Sequence, residues 1–282
     1  MTIRPSGYLV RCARDSRIAR YGGPARRPWR ACQLPRALLD MVLLDRARAL
    51  GAQVSQPCRP HRILLADGRV RGVMTSEGTV DARVVIDATG RSAWLARRLG
   101  LAFEQHSPRL LASYGYVESV RAGRPRRPRF MADSAGWTWS SQISSQLEAW
   151  VRTTRPVDRP PTGWAPAWCE GRAMGATRYA DATWRLVTSP AGPGYLIAGD
   201  SAAVLDPARS SGVLNALVSG TVAATTIGLI GAGGVGERDA HTAYTKYVRC
   251  SFLKDASSLS SWYSAFPWWS TAQQITGAGT WH

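Results

Sequence analysis

Apolar residues recur at helical spacing through "LPRALLDMVLLDRARAL" at 34–50, where Leu38, Leu39, Val42, Leu43, Ala47 and Leu50 share one side. This predicts a helix ended by Gly51, with "AQV" opening a strand. The period then shortens. "RILLADGRVRGVMTSEGTVDARVVIDATG" reads as a hairpin with an Asp67–Gly68 turn followed by a returning strand. Its end, "ARVVIDATG", is a continuous apolar run, the pattern of a parallel strand buried on both faces. "RSAWLARRLGL" predicts a short helix. Between 109 and 189 the alternating, tryptophan-rich segments "LLASYGYVESV", "GWTWSSQI", "LEAWVRTT" and "DATWRLV" predict an antiparallel sheet with a proline-rich insertion at 155–168. "GPGYLIAGD" restores an apolar strand, a long apolar helix follows from 212, and 237–266 has helical spacing.

The order is therefore α/β, a β-rich insertion, then α/β again. The expected fold class is α/β (α+β). A partial nucleotide-binding domain would comprise 1–108 and 190–236, a β-rich substrate domain 109–189, and a C-terminal helical segment 237–282. The apolar run 212–232 has membrane length. Asn215, Ser219, Thr221, Thr225, Thr226 and several glycines make a buried helix the expected reading, with no membrane span.

Charge adds little to this picture. The chain of 282 residues carries 36 Lys+Arg against 19 Asp+Glu, a formal net charge of +17, and Lys246 and Lys254 are its two lysines. Arginine spread through the whole chain reads as the habit of a GC-rich genome rather than a nucleic-acid interface. The densest run, "RAGRPRRPRF" at 121–130, alternates with proline as a loop does. Five cysteines without a CxxC or Cys/His cluster point to reduced thiols, a cytoplasmic location and no metal site. The N-terminus is arginine-rich, but "PSGYLVRC" reads as strand interior rather than a targeting peptide.

The chemistry concentrates at "YLIAGDSAAVLDPARSSGVLNALVSGTVAATTIG", 195–228. The apolar strand delivers Gly199 and Asp200 to its carboxyl end, where open α/β sheets bind ligands. A carboxylate there suits ribityl-type hydroxyls, which can donate hydrogen bonds to it. Asp206 and Pro207 shape the next turn. Ser210 or Ser211 is the expected cap of the following helix, and Gly212 and Val213 open it, so that unpaired N–H groups face a negatively charged ring edge. An ordinary strand–turn–helix with a capping serine is the bland alternative.

Three motifs in order carry a resemblance. "GDSAAVLDPARSSGVLNALVSGTVAA" resembles the second flavin motif of the FAD-dependent aromatic hydroxylases and halogenases, "RACQLPRALLDMVLLDRARALGAQV" resembles the Arg-containing strand–helix that precedes it in that group, and "VVIDATGRSAWLARRLGL" resembles the group's DATG-R-S strand end. The resemblance implies a Rossmann-like FAD-binding domain with an inserted sheet. FAD would be reduced by NAD(P)H or a flavin reductase and held by Arg36, Gly199, Asp200, Asp206, Pro207, Ser211, Gly212 and Val213. Asp87 and Arg91 flank the DATG turn, as site residues or as a structural ion pair. No GxGxxG occurs at 1–60, and "YGGPARR" lacks the spacing. The resemblance thus implies an N-terminally truncated flavin fold, weak FAD binding and self-association through the exposed strand edge and the apolar helix.

Within that group, "GATRYADATWRLVTSPAGPGYLIAGDSAAVLDP" and "YTKYVRCSFLKDASSLSSWYSAF" look most like the flavoprotein maturases of quinone-cofactor amine oxidases and dehydrogenases. That implies an oxidoreductase hydroxylating an aromatic substrate, such as a tryptophan of a partner polypeptide. "GWTWSSQI" resembles the halogenases' GWxWxIP box with Ser141–Gln142 in place of Ile-Pro. This departure and the scarcity of lysine speak against halogenation, the alternative reading. A non-catalytic remnant that docks an acidic partner is the competing class. Trp137, Trp139, Trp150, Trp164, Trp168 and Trp184 are expected to line the sheet over a cleft. His61, His106, His241 and His282 form no base–nucleophile pattern, and no catalytic base is identified.

Overall fold

The computed structural model describes residues 7–12, 15–20, 30–119 and 127–269. The chain divides into two compact units. The first joins Met1–Val54 to Arg109–Asp181, and the second joins Ser55–Pro108 to Ala182–His282.

The first unit is built on a seven-stranded sheet. In spatial order its strands are Gly171–Asp181, Leu111–Ser119, Leu147–Thr154, Gly136–Gln142, Arg129–Asp133, Gly7–Cys12 and Asp15–Arg20. Every neighbouring pair is antiparallel except Gly7–Cys12 with Arg129–Asp133, which runs parallel. The N-terminal hairpin, expected with the nucleotide domain, is thus hydrogen-bonded into the sheet of the insertion. "DATWRLV" goes the other way: Arg185–Val187 belongs to the second unit. The core of the sheet explains one glycine. Gly115 lies opposite Trp150, and a Cβ there would sit 3.0 Å from the Trp150 ring. Trp150 packs with Val117 and Cys169 beneath Trp164 and Trp168.

Helix α1, Arg36–Ala49, falls within the predicted 34–50. Its end is closed by Gly51, whose φ of 93° allows the Gly51 and Ala52 N–H groups to reach the carbonyls of Arg48 and Ala47. None of its residues is buried. The "AQV" that follows is not a strand; the next one starts at Pro60.

The second unit holds three small sheets. Pro60–Ala66, Arg69–Thr75 and Gly78–Asp81 form an antiparallel meander whose first turn has both Asp67 (φ 52°) and Gly68 (φ 69°) left-handed, as the Asp-Gly pair demands. Val85–Asp87 pairs in parallel with Tyr195–Ile197, which also pairs with Ala191–Gly192. Arg185–Val187 lies between Phe103–Gln105 and Ala203–Val204. Helix α2 spans Trp94–Arg98, α3 Gly212–Gly231 and α4 Glu237–Tyr263.

The burial of α3 falls short of a buried helix and agrees with the exposed apolar helix that was also expected. Only Ser219, Ala223 and Thr226 are buried, while Val213, Leu214, Leu217, Val218 and Leu229 are exposed. One narrow stripe of an apolar helix is covered. Among the described residues it is the one helix long and apolar enough to cross a membrane.

Candidate functional site

The two strand ends that the sequence singled out lie side by side. Asp87 ends one parallel strand, and Ile197, its register partner, leads through Ala198 into the 3-10 turn Gly199–Ser201. Asp87 is buried and wholly engaged: Oδ1 accepts from the Thr89 N–H at 2.8 Å and the Ser201 hydroxyl at 3.2 Å, and Oδ2 accepts from the Leu95 N–H at 2.8 Å. Its carboxylate therefore organises the DATG turn and the start of α2. Arg91 does not pair with Asp87. Its Nε lies 3.6 Å from Oδ2 of Asp200.

Asp200 is the open acid. Its side chain is 41% exposed, and among the described residues it accepts no hydrogen bond. The turn that carries it is locked to the first half of α3. The Gly199 N–H donates to the Ser219 hydroxyl at 2.9 Å, and a Cβ on Gly199, whose φ is 61°, would lie 3.3 Å from that of Ala216. Glycine serves both the left-handed backbone and the close approach.

Asp206 is placed differently. It is buried, caps the Pro207–Arg209 turn through the Ala208 N–H at 2.7 Å, and accepts from the Tyr263 hydroxyl at 2.6 Å. Neither interaction leaves it free for a ligand, so its role is to hold the loop before α3. Ser210 follows in a left-handed conformation (φ 54°).

The expected serine cap is not formed. Ser211 occupies the N-cap position of α3 without a side-chain cap, and its hydroxyl accepts from Asn215 Nδ2 at 3.3 Å instead. Gly212, Val213 and Leu214 are exposed at this uncapped end, and nothing lies within 4 Å of where a Gly212 Cβ would stand. The N–H groups of a helix's first turn have no partner within the helix, so this end retains donors and partial positive charge. An open carboxylate and an uncapped helix start fit the ribityl hydroxyls and the anionic ring edge of a flavin.

Arg36 lies in the other unit, where its Nε contacts Asp40 Oδ1 at 2.7 Å on the surface of α1. The tryptophans do not form a wall. Trp137, Trp150 and Trp184 are buried, while Trp139, Trp164 and Trp168 are partly covered. Trp184 belongs to the second unit, packed on Tyr263 at 5.5 Å and Trp269 at 4.9 Å between centroids. Large aromatic area is worth most when fully desolvated, so these rings fill cores. The sequence reading missed Ser219 and Tyr263. A lone serine in an apolar helix was a usable signal for the first; no local pattern marks the second. His282, 21–27 and 121–126 lie outside the described residues.

Residues 14–159, more than half of the chain, match the tryptophan halogenase family. The chain belongs to that family. A tryptophan 2-halogenase of Chondromyces crocatus is 37% identical to this family member over 91 residues, a match covering 30% of the chain and 17% of that protein. Among solved structures, the flavin-dependent halogenase CmlS superposes with a TM-score of 0.78 at 20% identity, covering 93% of this chain and 52% of its own. CndH, the myxobacterial chondrochloren halogenase described as a variant of FAD-dependent halogenases, has a TM-score of 0.75 at 20% identity, with coverage of 92% and 67%. PqsL of Pseudomonas aeruginosa, a probable FAD-dependent monooxygenase, has a TM-score of 0.74 at 14% identity, with coverage of 91% and 77%. This tryptophan halogenase family member therefore has the fold shared by FAD-dependent halogenases and monooxygenases, and it spans about half the length of CmlS.

Proposed function

We propose that this chain belongs to a flavin-dependent halogenase that uses FAD, reduced by NAD(P)H or by a partner flavin reductase, with molecular oxygen as the oxidant, to halogenate an aromatic substrate. The family match over 14–159 carries the reading and favours halogenation over the hydroxylation expected from the sequence. The geometry supports the cofactor. Asp200, part-exposed beside Arg91, offers its carboxylate to ribityl hydroxyls, and the uncapped Gly212–Val213 end of α3 offers first-turn N–H groups to the electron-rich edge of the ring. Gly199, Asp206, Pro207 and Ser211 hold these two elements in place. Oxidation of halide is chemistry that the flavin supplies when bound; the protein binds, orients and keeps water out.

Hydroxylation is the second reading, favoured by Ser141–Gln142 in the GWxWxIP-like box and by the scarcity of lysine. Its narrower form, hydroxylation of a tryptophan in a partner polypeptide, rests on the resemblance of 175–207 and 244–266 to the maturases.

The test has two stages. Titration of FAD into the chain, followed by flavin fluorescence, is expected to show saturable quenching. The protein is then incubated with a flavin reductase, NADH, chloride or bromide, and tryptophan or indole, and the products are read by mass spectrometry. A halogenated product supports the proposal. A hydroxylated product under the same conditions replaces it with the second reading, and absence of FAD binding removes both.

A further inference from the structure

Helix α4 and the loop at Ala191–Pro193 border an open cleft of about 740 Å3 in the second unit. The volume lies within the range of small-molecule sites. It is much larger than a bare inorganic anion fills.

The charges in this cleft do not cancel. Glu237 is satisfied by Arg69, whose Nη1 lies 2.7 and 2.8 Å from its two oxygens. Arg249 is satisfied by Glu104, at 2.6 Å. Among the described residues, Arg238 and Lys246 have no acidic partner, and both side chains are exposed on the cleft wall. They stand at i and i+8 with Thr242 at i+4, so all three share one face of α4, and the Cα atoms of the two cationic residues are separated by about 12 Å along the axis. That spacing exceeds what one phosphate bridges at rest and suits two linked anionic groups. His241 lines the same wall. Burial depresses its pKa, with Glu237 opposing and Arg69 adding to the effect, so its ring is a neutral hydrogen-bonding group beside the two cations. Opposite α4, Ala191, Gly192 and Pro193 form an apolar wall without charge.

We propose that this cleft binds a small organic polyphosphate of the nucleoside diphosphate class. Its phosphates span Arg238 and Lys246 across Thr242, and its apolar body lies against Ala191–Pro193. The concavity favours a small ligand over an acidic protein surface, which a convex patch would serve. The site is separate from the Asp200 and Gly212 elements, which share none of its lining residues.

The experiment is calorimetric titration of ADP into the full chain without FAD, since FAD carries the same adenosine diphosphate group and would compete for the cleft; the cleft variants separate this site from any ADP affinity of a flavin site. Saturable binding is expected, weakened at least tenfold in Arg238→Ala/Lys246→Ala and in Thr242→Glu, which places a carboxylate between the cations. Arg98→Ala, at an exposed arginine of α2 outside the cleft, is expected to leave binding unchanged. All three variants alter exposed positions, and far-UV circular dichroism checks their folding. Absence of ADP binding overturns the proposal. So does an equal loss in Arg98→Ala, which signals nonspecific attraction to a basic surface. A poly-glutamate peptide that binds more tightly than ADP through the same residues also overturns it, in favour of a peptide dock. Because the readout is ADP affinity compared between the cleft variants and Arg98→Ala, these outcomes are independent of halogenation.

Discussion

The hydroxyl of Tyr263 donates a 2.6 Å hydrogen bond to Oδ2 of Asp206, and both residues are buried. The last turn of α4 is thereby tied to the loop that leads into α3. Tyr263→Phe keeps the ring stacked on Trp269, 4.4 Å away, and deletes that bond. A lost hydrogen bond to a charged group costs about 1.5–3 kcal/mol. Chemical denaturation is expected to show a loss of that size, and FAD affinity is expected to fall with it as the loop loosens. Asp206→Asn combined with Tyr263→Phe should cost less than the sum of the two, because the residues share one interaction.

Asp200 is open and Asp206 is not, so substituting each separates ligand contact from scaffolding. Asp200→Ala removes a surface carboxylate whose one ion-pair partner among the described residues is Arg91, and it is expected to leave the melting temperature nearly unchanged. It is expected to weaken FAD binding by about 1–3 kcal/mol, the range for a charged hydrogen-bonding group. Fluorescence titration measures this, and an unchanged affinity removes Asp200 from the site.

Gly194 sets the approach of two sheets. Its φ is 76°, and a Cβ there would lie 2.0 Å from the Val70 carbonyl oxygen. Gly194→Ala adds left-handed strain to a clash with backbone. The expected cost is about 2–5 kcal/mol, from about 1–2 for the conformation and 1–3 for overpacking. Thermal unfolding checks it, with Gly212→Ala as control, since that position is open.

Cys169 is buried, and its thiol is pushed up to about 12, first by burial and then by the charge of Glu148. The thiolate is the reactive form, so Cys169 should resist alkylation at pH 8 while exposed Cys32 and Cys250 react. Mass mapping after iodoacetamide, with and without denaturant, reads the difference.

Glu104 is held below its ordinary value of 4.5 chiefly by the hydrogen bond from Arg249, with burial opposing. A carboxylate depressed in the folded state contributes stability that is complete above the unfolded value and is lost as pH falls through the folded one. Arg249→Ala should therefore lower the melting temperature slightly at neutral pH, and the gap to the parent should close below about pH 4. The pair is partly exposed, so the expected effect is no more than about 1 kcal/mol. Melting curves at several pH values, in low and high salt, measure it.

What the sequence determined by itself is local. The Asp67–Gly68 turn, the α1 stop at Gly51, the span of α4 and the parallel strands ending at Asp87 and Ile197 all follow from short-range patterns. Backbone conformation at a left-handed turn or a helix end depends on the few residues that form it, and those are adjacent in the chain. The strand-end acid Asp200 and the α3 start were legible for the same reason.

Tertiary structure decided everything that depends on a distant partner. The three acids look alike in sequence, yet Asp87 is consumed by the α2 start, Asp206 by a tyrosine 57 residues later, and only Asp200 remains open. Gly7–Cys12 joined the strand at Arg129 rather than the nucleotide domain, because a strand's free N–H and C=O groups accept any edge of matching register. Hydropathy placed α3 in a core, but only the Ser219–Ala223–Thr226 stripe is covered. Composition measures the tendency of a helix to be buried; how much of it is buried depends on which elements pack against it.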